Sequence, residues 1–145
     1  MRKLTVTLEP NVFIRAIHNS MLKAAESIEL VQLIKVDFIN RYKLQIVRFN
    51  FKPGRTSKDL SFPKNLEVLG ILEDAGEYAV YVIKVRFMKD VFGLAKKLDV
   101  DVIWATPSYI ASGKVVASCI GEPHDLQKVL SACSYIGKIV ATTFK

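Results

Sequence analysis

The residues most able to do chemistry are concentrated in one stretch, 118–138, which contains two cysteines, a histidine and two carboxylates. Cys119 and His124 are the residue types of a thiol nucleophile and its base. Together with Cys133 they would supply three side chains of the types that bind a metal ion such as zinc. His124 and Cys133 are nine residues apart on a predicted helix. That spacing is about 13 Å along the axis, so the two side chains cannot share one ion. A structural zinc site needs four closely spaced ligands. The stretch therefore predicts no metal site, and a thiol site of Cys119 with His124 is kept only as a minor alternative, because no third group orients the histidine as a base.

A strand that runs into a helix accounts for the same stretch. Residues 114–120 alternate as a strand, and Pro123 suits the first turn of a helix because its missing N–H has no intrahelical partner there. Apolar residues follow at helical spacing and place one thiol on the buried stripe: Leu126, Val129, Leu130 and Cys133. The helix is predicted over 123–136, and Gly137 is expected to end it as the glycine after its C-terminus.

No other pattern in the sequence is typical of an active site. His18 lies on the flank of a predicted helix without an evident partner, and the acidic residues are too scattered for a paired-carboxylate site. The nucleotide-binding, nucleophile-elbow and zinc-protease motifs do not occur in the sequence. We therefore expect a protein without enzymatic activity, cofactor or metal.

The segment VRFNFKPGR, residues 47–55, suggests an alternative function. Phe49 and Phe51 share one face of a predicted strand, beside the basic residues Arg48, Lys52 and Arg55. RNA-recognition modules stack bases on aromatic rings that are exposed among basic side chains of a sheet. The glycines and the Phe-Val step of that motif are missing here, so we favour the interpretation that both rings belong to the core.

The segment IWATPSYIASG, residues 103–113, carries the only tryptophan of the chain. Trp104 and Tyr109 flank a polar bend that contains Pro107. Apolar side chains with a few convergent polar groups are typical of a small-ligand pocket. A tryptophan buried in the core between two halves of the molecule fits the sequence equally well, so both interpretations stay open.

Composition and charge narrow the class of protein. Half of the 145 residues are apolar, which is enough for a core, and two cysteines are too few for a disulfide framework. The opening MRKLTVTLEP alternates like a strand instead of forming an apolar leader, and no apolar run approaches the roughly 20 residues of a membrane-spanning helix. We expect a cytoplasmic protein without membrane contact. The net charge of +7 favours acidic partners only mildly, because the basic residues are scattered.

The order of the predicted elements indicates an α+β fold of two ferredoxin-like halves. The second half, 77–145, is predicted as strand, helix, strand, strand, helix, strand, with helices over 88–98 and 123–136. The first half, 1–76, repeats this order, except that its second helix is degraded to a turn at 57–60. No low-complexity linker separates the halves. We therefore predict two βαββαβ units with antiparallel sheets that pack as one body.

In its hydrophobic pattern and in the order of its predicted elements, the chain resembles a known group of regulators. The opening RKLTVTLEPNVFIRAI, the following SIELVQLIKVDF and the closing KVVASCIGEPHDLQKVLSACSYIGKIVATTF are similar to the N-terminal regulatory region of archaeal helix-turn-helix transcription regulators of the bacterio-opsin activator (Bat-like) type. The resemblance implies a sensory module that biases a DNA-binding domain. In that family the helix-turn-helix lies beyond the final strand, whereas this chain stops at Lys145. We expect either the regulatory part of a longer protein or a stand-alone relative.

The residue patterns predict a non-enzymatic regulatory or binding domain, and the resemblance implies that it belongs to a transcription regulator. It would bind an unidentified small-molecule effector or partner near the junction of its halves, with Trp104 and Tyr109 in the pocket. DNA would be reached only through a helix-turn-helix domain outside this chain, and exposed strand edges would allow a homodimer. The alternative is a stand-alone nucleic-acid-binding module that uses Phe49, Phe51 and the basic hairpin.

Overall fold

The computed structural model describes residues 1–88, 93, 96–97 and 100–145. Within these residues the chain has an α+β fold with one eight-stranded antiparallel sheet and two α-helices. The strands are β1 (Arg2–Pro10), β2 (Ala25–Asp37), β3 (Tyr42–Phe51), β4 (Leu66–Asp74), β5 (Tyr78–Arg86), β6 (Val102–Ala111), β7 (Lys114–Gly121) and β8 (Gly137–Phe144). The helices are α1 (Val12–Leu22) and α2 (Pro123–Cys133), and a short 3-10 helix spans Ser57–Asp59. The helix predicted over 88–98 lies mostly outside the described residues.

The helices and turns begin where the local sequence favours them. The side chain of Asn11 caps α1 by accepting a hydrogen bond of 2.9 Å from the backbone N–H of Ile14. Pro123 occupies the first turn of α2, where Asp125 also lies near the positive end of the helix dipole. Gly76, with φ of 87°, makes the turn between β4 and β5 in a conformation that favours glycine. The described helices and strands follow one another in the predicted order.

The strands are arranged in the order β4-β5-β3-β2-β6-β7-β1-β8. We call β4-β5-β3-β2 the first half-sheet and β6-β7-β1-β8 the second half-sheet. β1 lies between β7 and β8, in the second half-sheet, and β5 lies between β3 and β4, in the first. Each half-sheet thus contains one strand from the other predicted half of the chain. The division at residues 76 and 77 stays a prediction.

One face of the sheet carries the apolar core, which forms two clusters, one on each half-sheet. Directly paired residues of neighbouring strands share a face, and a row of such pairs runs across six strands from β1 to β5 on this face: Leu8, Val115, Ile110, Ile28, Phe49 and Ala79. Met21 of α1 packs on the first half-sheet, and Leu126, Val129 and Cys133 of α2 pack on the second. The two helices therefore cover the same face of the sheet.

Gly137 has a different role from the predicted one. α2 ends at Cys133, with Ser134 as its C-cap, so the prediction that Gly137 ends the helix is wrong. Gly137 instead begins β8 opposite Pro10 of β1. A Cβ atom at this position would overlap the backbone oxygen of Glu9 and come within 2.8 Å of the Cα of Pro10. Glycine is needed here because two backbones approach closely, not because a helix ends.

We expect Gly137→Ala to lower the free energy of unfolding by about 1–3 kcal/mol, because the backbones of β1 and β8 must move apart to admit the methyl group. Urea denaturation followed by circular dichroism measures this change. Gly70→Ala in β4 is the matched control, because a Cβ there meets no atom within 4 Å. Equal stability of the two variants would contradict the close approach.

Candidate ligand-binding cavity at the sheet junction

The two half-sheets meet where β2 pairs with β6, and this joint is short. Its ladder covers residues 27–29 of β2 and 109–111 of β6, although the strands are 13 and 10 residues long. Pro107 lies in β6 just beyond the ladder and has no N–H to donate to a neighbouring strand. The pairing of β6 with β7 is also irregular here, between Ala105 and Tyr109. Beyond the joint β2 and β6, both within the described residues, are no longer paired with each other.

A cavity of about 330 Å³ lies beside this gap, and we call it the junction cavity. Both half-sheets line it with apolar side chains, among them Leu30, Leu33 and Val36 of β2, Val47 of β3, Val115 of β7 and Ile136 after α2. Two further wall residues, Phe38 and Phe87, stack with ring centroids 6.2 Å apart. The volume and the apolar walls are typical of small-molecule sites.

Both predicted pocket residues border the junction cavity. Trp104 pairs with the buried Cys119 and packs against the core of the second half-sheet, so it lies on the helix-covered face. Tyr109 pairs with Glu29 and Val116, which places its side chain on the opposite face because residues alternate along a strand. Trp104 is thus a partly buried core residue that also borders the cavity. A role of either residue in ligand binding stays a prediction.

A hydrogen-bond network fixes the irregular segment of β6 beside the junction cavity. The hydroxyl of Ser108 donates to the carbonyl of Ala105 at 2.7 Å and accepts from the backbone N–H of Ser118 at 3.0 Å. The hydroxyl of Ser118, which is fully buried, donates to the carbonyl of Pro107. These bonds satisfy backbone groups of β6 and β7 at the place where the pairing of the two strands is irregular.

The polar residues that the sequence analysis missed are Lys43 and Gln45 of β3. Both line the junction cavity. They lie at alternate positions along β3 with the buried Val47 and Phe49, so all four side chains share the helix-covered face. That alternation with buried residues was the signal that could have revealed them. Burial lowers the pKa of the Lys43 amine below its usual range.

His18 of α1 lies close to Lys43. Burial, together with the charge of Lys43, lowers the pKa of His18 to about 4, so the imidazole is neutral at physiological pH. Among the described residues, the Nδ1 atom of His18 is buried without a hydrogen-bond partner. Lys43 therefore has the neutral His18 near it and no neutralising acid in the described part of the chain.

The cysteine-histidine stretch has none of the properties of a reactive site. Cys119 is buried at 1% exposure, whereas His124 lies exposed at the start of α2. Burial raises the pKa of the Cys119 thiol to about 11, with a smaller contribution from Cys133. In the described ranges no group of three or more His, Cys, Asp or Glu side chains could hold a metal ion. Cys119 and Cys133 both serve as core residues of the second half-sheet.

We expect iodoacetamide at pH 8 to leave Cys119 unmodified in the folded protein, because the thiolate is the nucleophile and a pKa of about 11 keeps the thiol protonated. Mass spectrometry of the digested protein identifies the modified cysteine. The same reaction in denaturant is the control and should modify both cysteines. Rapid alkylation of Cys119 in the folded protein would restore the thiol-site hypothesis.

The two rings required by the nucleic-acid alternative are buried. Phe49 has no exposed surface, and its ring centroid lies 5.4 Å from that of Tyr81 and 5.9 Å from that of Phe62. Phe51 belongs to the same core cluster and is 7% exposed. Neither ring lies at a surface on which a base could stack. The core interpretation of these two residues is therefore the one that agrees with the structure.

The basic residues of that alternative lie elsewhere. The guanidinium of Arg48 stacks 3.9 Å from the ring centroid of Tyr78, on the face of the sheet opposite Phe49. A second cavity, of about 460 Å³, is lined by charges of both signs: Arg48, Lys52, Arg55, Glu26 and Glu77. Because two carboxylates offset the three basic groups, this surface does not have the uniform positive charge of a nucleic-acid groove.

Phe49→Ala is expected to destabilise the protein by about 3–5 kcal/mol, the usual effect of removing a buried ring from a core. Phe13→Ala removes the same ring from a side chain of α1 that is 45% exposed, and its effect should be much smaller. Chemical denaturation of both variants measures the difference. A small effect at Phe49 would place its ring outside the core and revive the stacking hypothesis.

Comparison with known proteins gives no family for this chain. No protein-family model matches the sequence, and no curated protein matches it. Neither of the described helices has the length and apolar character needed to cross a membrane.

Proposed function

We propose that this chain is a non-enzymatic, effector-binding regulatory domain whose ligand occupies the junction cavity. The observation that carries the proposal is the position of that cavity, because its walls come from both half-sheets at their short joint. A molecule bound there contacts Leu33 on one side and Trp104 on the other. Its binding energy therefore depends on how the two half-sheets are arranged.

The mechanism that we propose is a shift between two arrangements of the half-sheets. A ligand shifts such an equilibrium only when its affinity for the two arrangements differs. The joint of residues 27–29 with 109–111 is short enough to act as the hinge, and the cavity lies directly beside it. The resemblance to Bat-like regulators supports a DNA-binding helix-turn-helix outside this chain as the output and the cytoplasm as the compartment.

We further infer that each half-sheet is a ferredoxin-like unit whose first strand has been exchanged with that of the other unit. In a ferredoxin-like unit the first strand lies between the third and the fourth. β5 occupies this place between β3 and β4, and β1 occupies it between β7 and β8. The order of the remaining strands agrees with two such units joined through their second strands, β2 and β6.

A homodimer belongs to the same proposal. β4 and β8 form the two edges of the sheet, and unpaired strand edges are templates for pairing with another chain. Ile71 and Leu72 of β4 are exposed at 58% and 60%. Dimerisation through this edge would bury them and continue the sheet into a second copy.

The fluorescent probe phenylnaphthylamine (NPN), which is apolar and neutral, tests the cavity directly. We expect saturable binding of one NPN per chain, with quenching of Trp104 by energy transfer, because Trp104 lines the cavity. Leu33→Phe fills part of the cavity and should weaken NPN binding at least about tenfold, a loss of roughly 1.4 kcal/mol.

Ile34→Phe is the matched control for this experiment. Ile34 follows Leu33 in β2 but is 48% exposed and does not line the junction cavity. NPN should bind this variant as it binds the unmodified protein. Absence of saturable NPN binding, or equal weakening by both substitutions, would overturn the junction cavity as the effector site.

A further inference from the structure

We propose that the ligand of the junction cavity is an amphipathic monoanion, an apolar molecule with one carboxylate or similar acidic group, and that Lys43 binds its acidic group. This inference rests on the proposed function, because it assumes that the junction cavity is the ligand site. It adds the chemical class of the ligand and the residue that selects it.

Lys43 lies at an apolar part of the cavity wall. Lys43 pairs with Val36 of β2 and Val85 of β5, so two β-branched apolar residues flank it on the helix-covered face. Its side chain lines the junction cavity, as does that of Gln45, its nearest neighbour on the same face of β3. An ammonium group is therefore held at an apolar wall rather than in bulk water.

Lys43 has no counter-charge among the residues that the structure describes. In the described part of the chain, the side chain of Lys43 forms no ion pair and no hydrogen bond, and the nearby titratable group is His18, which is not an acid. Burying an ammonium group without a partner is costly, whereas pairing it with a carboxylate through a charge-assisted hydrogen bond offsets that cost. Among the residues that the structure describes, the cavity wall thus lacks the acid that a bound ligand would supply.

The remaining walls limit the ligand to one charged group. Apart from Lys43, the described part of the lining is apolar or carries neutral polar groups, such as the amide of Gln45 and the hydroxyl of Ser108. A second acidic group would be buried without a cation, and a ligand cation would face Lys43 directly. One acidic group on an apolar body is therefore the composition that complements the cavity.

Anilinonaphthalene sulfonate (ANS) and NPN test this inference, because they share one aromatic skeleton and differ by a single sulfonate. We expect the unmodified protein to bind ANS at least about tenfold more tightly than NPN. Lys43→Met should abolish this preference while NPN binding stays unchanged or becomes tighter. Lys43→Arg keeps the charge and should retain the preference for ANS.

The matched control is Lys84→Met in β5, because Lys84 pairs with Leu44 and lies on the opposite face of the sheet. It should leave the affinities of both probes unchanged. Equal binding of ANS and NPN to the unmodified protein, or a preference for ANS that persists in Lys43→Met, would overturn the inference while leaving the cavity function intact. Failure of NPN to bind at all would overturn the cavity function, and the two failures are thus distinguishable.

Discussion

The pairing of β1 with β7 and β8 is the interaction on which the rest of the structure depends. β1 places Leu4, Val6 and Leu8 at the centre of the second core, and the chain then returns through α1 to β2 in the first half-sheet. The connection from β5 to β6 crosses in the other direction. Two covalent crossings therefore tie the half-sheets together, so the ladder between β2 and β6 can remain short without the halves separating.

The short ladder explains why the molecule has a cavity at its centre. Protein interiors are close-packed, and an unfilled space lowers stability because its walls lose contacts. At the junction this loss coincides with a second unfavourable feature: within the described residues Lys43 has no counter-charge, and the Nδ1 atom of the nearby His18 has no hydrogen-bond partner. Two local violations of good packing and pairing at one place are typical of functional sites, where binding matters more than stability.

Much of this structure follows from sequence patterns, and the exceptions have physical reasons. Alternation and helical spacing predicted the element types because they report which residues are buried. The same patterns do not report which strands are neighbours, so the place of β1 between β7 and β8 could not be predicted. Gly137 was misinterpreted because a helix end and a close approach of two backbones both require glycine. The residue types of the segment 103–113 pointed to Trp104 as a pocket candidate, whereas those of β3 did not point to Lys43, because a charged residue in a strand usually faces solvent.

The place of β1 also determines the order in which the protein can fold during translation. β1 leaves the ribosome long before its partners β7 and β8, because six strands and α1 lie between β1 and the end of β7 in the chain. The hairpin of β2 and β3 can form early, whereas Leu4, Val6 and Leu8 remain uncovered until β7 and β8 are available. The nascent chain therefore carries an exposed apolar strand until β7 and β8 have been synthesised, and such a strand is a target for chaperones and a risk for aggregation.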